Sequence, residues 1–563
     1  MHRQLSKVTR RTLVGGLLAA VAPWLQAQTM WLDDTGRVRP ATQQAVRWLV
    51  EADQQGLRPA DYAAAKLSQA VKQAESESLS AEASTRLEDE LTRQVLAYLT
   101  DLRHGRVDAA AQLKAHYNST SARAPDLAAA LRDAVTRGQP EDAVRAAIPP
   151  WAEYPELQRA LTHYLGLGEH TAWSQPLPPV PGGKLQAGQR WAGLPALSER
   201  LRALGDLEQH ASGLSAEGVY TSELQEAVRA FQERHGLLGD GVLGKATLDA
   251  LAVPPARRAE QIALAMERLR LTPLPESQRF VTVNVPEFML RAHRHEAGAV
   301  RQDLRMRVIV GKALDTRTPL FDEEMRWIEF SPYWNIPPSI ARSETLPKLR
   351  ANPGYLISQG MEFVGPGGQV STEVSPQMLD AVRAGQWRIR QRPGPRNALG
   401  DIKFMLPNNQ NIYLHHTPST GLFDRARRDF SHGCVRIEDP VALAQWVLFD
   451  QPDWTEARIR QSMGQKRPVI ARLAEPVPVL LIYQTAIAES GIIKFVPDLY
   501  GQDAVLEQAL RKSSRALNRS LPSGSPEVSN KFTLPIRPNP SAGKTEAMAA
   551  QYAAMTNQVR CQP

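Results

Sequence analysis

The chain has 563 residues, 42% of them hydrophobic, a formal net charge of +8 and two cysteines. That length and apolar content support several globular domains with sizeable cores, and two cysteines exclude a disulfide-stapled scaffold. The basic excess suits an anionic polymer or surface; no helix-turn-helix, finger or RNP pattern accompanies it, so nucleic acid is not an expected partner.

Residues 1–28 read as an export signal. Arg3, Lys7, Arg10 and Arg11 charge its start, Leu13 to Leu25 form a short apolar run, and Ala27 offers a small residue for cleavage. Thr9-Arg10-Arg11-Thr12-Leu13-Val14 is similar to a twin-arginine signal, with an ordinary Sec leader as the alternative. The apolar run is short for a bilayer span and no later stretch is long enough, so no stable membrane insertion is expected.

Residues 29–190 place apolar side chains at helical spacing, as in Ala45, Leu49 and Ala52 or Leu91, Val95 and Tyr98, which predicts a helical scaffold domain. The Pro- and Gly-rich stretch from Ser174 to Gln189 reads as a linker. Residues 196–253 predict a compact helical unit, with one amphipathic helix through Leu224, Ala227, Val228 and Phe231, closed by Gly236, and a second over Ala246 to Leu251.

Residues 254–510 form the largest predicted domain. A helix over Arg257 to Arg270 precedes strand-like segments at Phe280–Val285, Phe288–Ala292, Met306–Val310 and Trp327–Phe330, which suggest an antiparallel sheet. An insertion at about 340–396 breaks the pattern with Pro, Gly and mixed helix signals. Asn411 to His415 alternates like a strand, and Asp439-Pro440 is a good start for a helix through Val447. Val479–Ile482 and Lys494–Val496 read as strands and Asp503 to Arg511 as a helix. Residues 511–563, rich in Ser, Pro and Asn, read as a disordered tail with a short helix near Ala547 to Met555.

The chemistry concentrates in Tyr413-Leu414-His415-His416-Thr417 and Ser431-His432-Gly433-Cys434-Val435-Arg436. A thiol needs a base or a positive field to become a nucleophile. A histidine at a strand end and a cysteine in a Gly-flanked loop supply that pairing, and Gly433 permits a tight turn whose amides face an oxyanion. Three alternatives stand beside it: a buried structural cysteine, a zinc site from His415, His416, His432 and Cys434, and a disulfide from Cys434 to Cys561. Arg436 is read either as a carboxylate binder or as an ion-pair partner of Glu438 or Asp439.

The pattern His415…Ser431-His432-Gly433-Cys434 resembles the signature of the L,D-transpeptidase (YkuD-type) catalytic domain. Tyr333-Trp334-Asn335-Ile336-Pro337-Pro338-Ser339-Ile340, Arg392 to Gly400 and Tyr413-Leu414-His415 are similar to its large, capped periplasmic branch, the YcbB type. The run from Ala227 to Thr247 resembles a three-helix peptidoglycan-binding domain. The resemblance implies a multidomain α+β protein, with a helical scaffold, a small helical peptidoglycan-binding domain and a mostly antiparallel β-sandwich carrying a lid over its cleft. It implies a periplasmic enzyme that joins peptidoglycan stem peptides by 3→3 cross-links, is acylated by carbapenems, uses no metal or cofactor, and works with cell-wall synthesis partners. Cys434 is then the nucleophile, His415 the base and acid, and Gly433 the oxyanion-hole backbone. Arg436, Tyr413, Trp334, Ser431 and His432 belong to the substrate site, Ser431 and His432 by shaping its loop rather than by moving protons, and Tyr413 and Trp334 by lining the cleft or packing in the core. An L,D-carboxypeptidase and a catalytically inactive cell-wall binding protein are the alternatives. His416 departs from the pattern, since that branch has Asp at the position.

Overall fold

The computed structural model describes residues 29–117, 126–208, 218–314 and 316–519. The export signal expected over 1–28, Cys561 and the tail beyond residue 519 lie outside the described residues. Among the described residues no helix is long and apolar enough to cross a membrane.

The N-terminal helices form where apolar residues recur every three or four positions. Pro40–Val50 buries Ala45, Val46, Trp48 and Leu49, and Ala81–His104 buries Leu91, Val95, Tyr98 and Leu102. Ser80 caps the second of these by accepting from the Ala83 N–H at 3.2 Å. Together they build one core from Trp31 to Ala147. The helix Glu153–Leu167, expected in the same scaffold, packs instead against the helix Pro255–Leu271, Phe280 and Phe495.

The stretch from Ser174 to Gln189, expected to be a linker, is packed. Val180, Leu185 and Trp191 join the core of the following helical unit, and the Leu185 N–H donates to Leu243 O. Apolar residues between the prolines, which the linker reading passed over, hold it down. Within that unit the helices Ser222–Arg234 and Lys245–Ala252 stand where expected.

The C-terminal part, from about residue 279 to 495, is mostly β. Its strands, with those that join or interrupt them, are β1 Ala115–His116, β2 Arg279–Asn284, β3 Met289–Glu296, β4 Ala299–Gly311, β5 Leu320–Phe330, β6 Trp334–Asn335, β7 Met361–Val364, β8 Val370–Ser371, β9 Arg388–Gln391, β10 Ile402–Met405, β11 Leu414–His415, β12 Asp429–Ser431, β13 Val435–Ile437, β14 Val469–Ile482, β15 Ala486–Glu489 and β16 Ile492–Phe495. The main sheet runs β1-β5-β10-β11-β13-β4-β3-β2-β14, with β12 on β4, and β14 also pairs β5, so the order closes on itself. Most pairings are antiparallel; β1–β5, β11–β13, β12–β4 and β14–β2 are parallel. Val281, Val283, Ile328, Phe404, Leu414 and Val435 fill its interior.

Three features depart from the sequence reading. Asn411 to His415 is not all strand: Asn411 has φ +57°, and the Asn408 side chain binds Leu406 O and Ile412 O at 2.7 Å each, so a polar turn occupies the first part and only Leu414–His415 pairs. The insertion, expected to open at about residue 340, starts earlier and folds as a compact body. Its sheet runs β6-β9-β7-β8 and its core holds Ile336, Leu346, Leu349, Phe363 and Ile389. The last helix, Gln502–Arg519, extends past the point where the tail was expected to start.

Candidate active site

Strand register gathers the functional groups. Residues paired across neighbouring strands point to the same side of a sheet, and alternate residues on one strand share a side. Glu329 pairs Lys403, Lys403 pairs His415, and His415 pairs Arg436, so four polar side chains from β5, β10, β11 and β13 stand in one row. The other side of these strands is the apolar interior, which fixes which way the row faces. Tyr413, two residues before His415, lies on the polar side. Its carbonyl accepts from the Val435 N–H at 3.1 Å, which brings Cys434 beside it.

Cys434 is half-buried and its thiol is free. Sγ lies 3.4 Å from Asn411 O. Both the phenolic hydroxyl and the backbone N–H of Tyr413 face the sulfur. Burial pushes the Cys434 thiol up, while Tyr413, Lys403 and Arg436 pull it the other way. The Tyr413 hydroxyl also meets the Trp334 indole, and burial and the neighbouring sulfur push the phenol up.

His415 is 4% exposed. Its Nδ1 donates to His416 O at 2.5 Å, and since a carbonyl only accepts, Nδ1 carries the hydrogen and Nε2 keeps its lone pair. Burial, with Arg436 and Lys403 nearby, pushes the imidazole down to about 3 against the pull of the His416 and Leu399 carbonyls. A neutral imidazole and a protonated thiol are the resting forms these shifts favour, rather than an imidazolium and a thiolate.

His416 does not carry the carboxylate expected of that position. Its Nδ1 instead meets Asp401 Oδ1 at 2.7 Å, so an aspartate from the β10 side holds the residue whose carbonyl orients His415. Gly400 makes room: a Cβ there would lie 2.8 Å from His416 Cβ.

The turn before the nucleophile is built by Ser431, whose hydroxyl donates to Cys434 O at 2.5 Å and accepts from the Gly433 N–H at 3.1 Å. This bears on two expectations. Ser431 is 2% exposed with its hydroxyl engaged, so it shapes the turn rather than facing a substrate. The Gly433 N–H is likewise committed to Ser431 and is not free for an oxyanion, which leaves the Cys434 N–H as the amide beside the sulfur. Gly433 is still needed for its backbone, since its φ is +115° and a Cβ would meet Ile412 Cδ1 at 3.2 Å. Gly433→Ala is expected to cost about 1–3 kcal/mol, read as a lower urea midpoint. Gly421→Ala, at a glycine with nothing within 4 Å, is the matched control expected to stay within about 0.5 kcal/mol of the parent.

A second layer supports this turn from the loop after β4. Thr318 Oγ1 donates to Gly433 O at 2.8 Å and accepts from the Gly311 N–H at 2.9 Å, and Thr316 Oγ1 donates to Ser431 O at 3.0 Å. Tyr500 Oη donates to Gly311 O at 2.7 Å. A Cβ on Gly311 would sit 1.9 Å from Thr316 O, so that close approach requires glycine.

The remaining expected residues are accounted for as follows. Arg436 has neither suggested ion pair: Glu438 is taken by Arg307, and Asp439 caps the helix Pro440–Val447 through the Ala442 N–H at 2.9 Å. Its Nε is buried without a partner, which leaves the guanidinium available to an incoming anion. His432 is exposed and its Nε2 meets Glu344 Oε1 at 2.7 Å, linking the nucleophile loop to the inserted body. Trp334 is half-buried at the root of that body. The four groups of the zinc alternative are turned to His416 O, Asp401, Glu344 and Asn411 O respectively, and no three metal-ligating side chains meet among the described residues. Lys403, Asp401, Thr318 and Tyr500 were not singled out from the sequence.

The segment that builds this polar face and its supporting turn is the part that comparison with known families recognises. Residues 278–476 match the L,D-transpeptidase catalytic domain. Residues 25–161 match a "Scaffold domain" and residues 192–251 a "Putative peptidoglycan binding domain". A Haemophilus influenzae protein named "Putative L,D-transpeptidase" is 33% identical over 276 residues, 48% of this chain and 55% of that protein. The L,D-transpeptidase domain match therefore comes with a relative of which the chain spans about half the length. A second relative, the Mycobacterium tuberculosis N-acetylmuramoyl-L-alanine amidase CwlM, is 39% identical over 75 residues, 12% of this chain and 18% of that one. A solved Clostridium acetobutylicum fused Zn-dependent amidase/peptidase/peptidoglycan-binding domain-containing protein is 14% identical, over 25% of this chain and 70% of that one; its TM-score of 0.11 supports no structural conclusion. The chain thus carries one segment that matches the L,D-transpeptidase catalytic domain and another that matches a peptidoglycan-binding domain.

Proposed function

We propose that this protein is an exported L,D-transpeptidase of the capped periplasmic type that forms 3→3 cross-links between peptidoglycan stems. The observation that carries the reading is the single sheet face on which Cys434, Tyr413, His415 and Arg436 meet within the L,D-transpeptidase domain.

In the proposed reaction His415 Nε2 takes the Cys434 proton as Sγ attacks the carbonyl of the third stem residue. An S–C bond forms, and the amide C–N bond to the terminal D-Ala breaks as His415 returns the proton to the departing amine. The side-chain amine of a second stem then attacks the thioester carbon and loses its proton to His415 as the C–S bond breaks, and His415 passes that proton to the departing sulfur to restore the thiol. The Cys434 N–H, with the Tyr413 hydroxyl beside it, stabilises the developing oxyanion. Arg436 holds a stem carboxylate. The inserted body, tied to the nucleophile loop by His432–Glu344, serves as a lid that excludes water and favours the amine acceptor. The peptidoglycan-binding domain retains the enzyme on its polymeric substrate.

The test is mass spectrometry of products from purified disaccharide-tetrapeptide, run beside Cys434→Ala. Cross-linked dimers lacking one D-Ala, absent with the variant, are expected. Tripeptide without dimers would shift the reading to an L,D-carboxypeptidase. Binding to sacculi without any product or carbapenem adduct would shift it to a wall-binding protein.

A further inference from the structure

Lys403 and Glu329 are the two charged groups of the polar row that the reaction above leaves unused, and Lys403 is the one next to Tyr413. It comes from β10, with Glu329 opposite it on β5 and His415 opposite it on β11. Its Nζ lies 4.0 Å from the centre of the Tyr413 ring. Tyr413 in turn presents both hydroxyl and N–H to Cys434 Sγ. An ammonium on an aromatic face is held by the ring's negative charge, and it makes the phenolic hydrogen a better donor. Burial pushes the ammonium down, and Glu329 and Cys434 hold it up.

We propose that Lys403 is a positioning residue of this site: seated on the Tyr413 ring and balanced by Glu329, it places a fixed positive charge behind the hydrogen bond that Tyr413 makes to the nucleophile. The inference rests on Cys434 being the reactive thiol and deepens that reading. The geometry assigns separate tasks to the two residues flanking His415. Arg436 stands on the Cys434 side with an unpartnered Nε and meets substrate, whereas Lys403 is capped by an aromatic ring and acts through it. Both cations oppose a charge on His415, so the same arrangement that supports the sulfur anion keeps the imidazole neutral. Four other polar groups stand around the site without taking this place. Glu329 faces Lys403, His415 and Arg436 share its row, and His432 turns outward to Glu344.

The test needs no peptidoglycan, so its failure is distinct from failure of the proposed function. The rate of Cys434 alkylation by iodoacetamide is followed against pH, with Cys434→Ala as the blank. Lys403→Met, nearly the same shape without the charge, is expected to move the midpoint up by about one unit and slow alkylation about tenfold at neutral pH. Lys403→Arg is expected to restore most of the rate. Glu329→Gln, which leaves the ammonium uncompensated, is expected to move the midpoint the opposite way. Opposite shifts from the two variants are not produced by loosened packing, which would move both alike. A Lys403→Met profile that overlays the parent overturns the proposal. Should Lys403→Met fail to fold, the Glu329→Gln profile decides alone, and an unmoved or raised midpoint overturns it.

Discussion

Replacing His415 by alanine is expected to lower turnover about 10³- to 10⁴-fold while Cys434 stays open to alkylation. The side chain supplies every proton transfer in the proposed reaction, and no other base stands in its place: His416 is bound to Asp401 and His432 to Glu344. The pH dependence gives a sharper check. His415 is held down to about 3 in the folded chain, below the ordinary histidine value of about 6.5, so it remains a neutral base across that interval. No loss of activity through this residue is expected as pH falls from neutrality to about 5. The Cys434 thiol is pushed up, so turnover and alkylation should both climb on the alkaline side. An imidazolium–thiolate pair would behave differently, with alkylation flat across neutral pH and a step where the imidazolium titrates. Alkylation rates from pH 4 to 10 separate the two, and a flat neutral plateau would sink the neutral-pair assignment.

The largest effect on stability is expected at Arg270, remote from the site. Its side chain is fully buried and Glu267 beside it is 2% exposed. Nη1 donates to Glu267 Oε2 at 2.9 Å, Nη2 to Tyr154 Oη at 2.7 Å, and Nη2 also to Gln55 O. Glu267 Oε1 accepts from the Arg106 N–H, and Arg106 reaches Asp61 at 2.8 Å. One network therefore joins the N-terminal helices, the helix Glu153–Leu167 and the helix Pro255–Leu271. Arg270→Met leaves the Glu267 carboxylate buried without its main counter-charge, which costs about 3–5 kcal/mol. The measurement is a urea unfolding midpoint. Glu267→Gln added to Arg270→Met should recover part of the loss by removing the orphaned charge. A single variant within about 0.5 kcal/mol of the parent would show that water already reaches the network.

Much of the architecture was legible because apolar periodicity and end signals agree. The helix Pro440–Val447 announces itself by Asp439-Pro440, and the Asp439 side chain does accept the Ala442 N–H. Strands β2 to β5 were found at their apolar cores but read short, since the outer halves of β4 are polar and pair anyway. The first part of β14 was missed for a local reason. Pro476 and Pro478 argue against a strand, yet the register shifts between Arg472 and Val477, and Pro478 still pairs Glu324 beyond that irregularity. The site divides along similar lines. Cys434 and His415 stand out because their residue types are scarce and closely spaced. Lys403, Asp401, Thr318 and Tyr500 are common types that reach the site only through strand register or loop packing, which no local window reveals.

The two residues of β1 have a consequence in time. Ala115 and His116 pair parallel with Leu320 and Phe321 of β5, and Leu113 and Ala115 belong to the main apolar interior. Parallel pairing of this kind is non-local, and roughly 200 residues must be added to the growing chain between the two partners. At synthesis rates of about 5–20 residues per second that is a wait of about 10–40 s. Throughout it the early segment has an open strand edge and an uncovered leucine. In an export-free expression system, slowing elongation between residues 116 and 320 is therefore expected to raise the fraction lost to aggregation, read as the soluble yield.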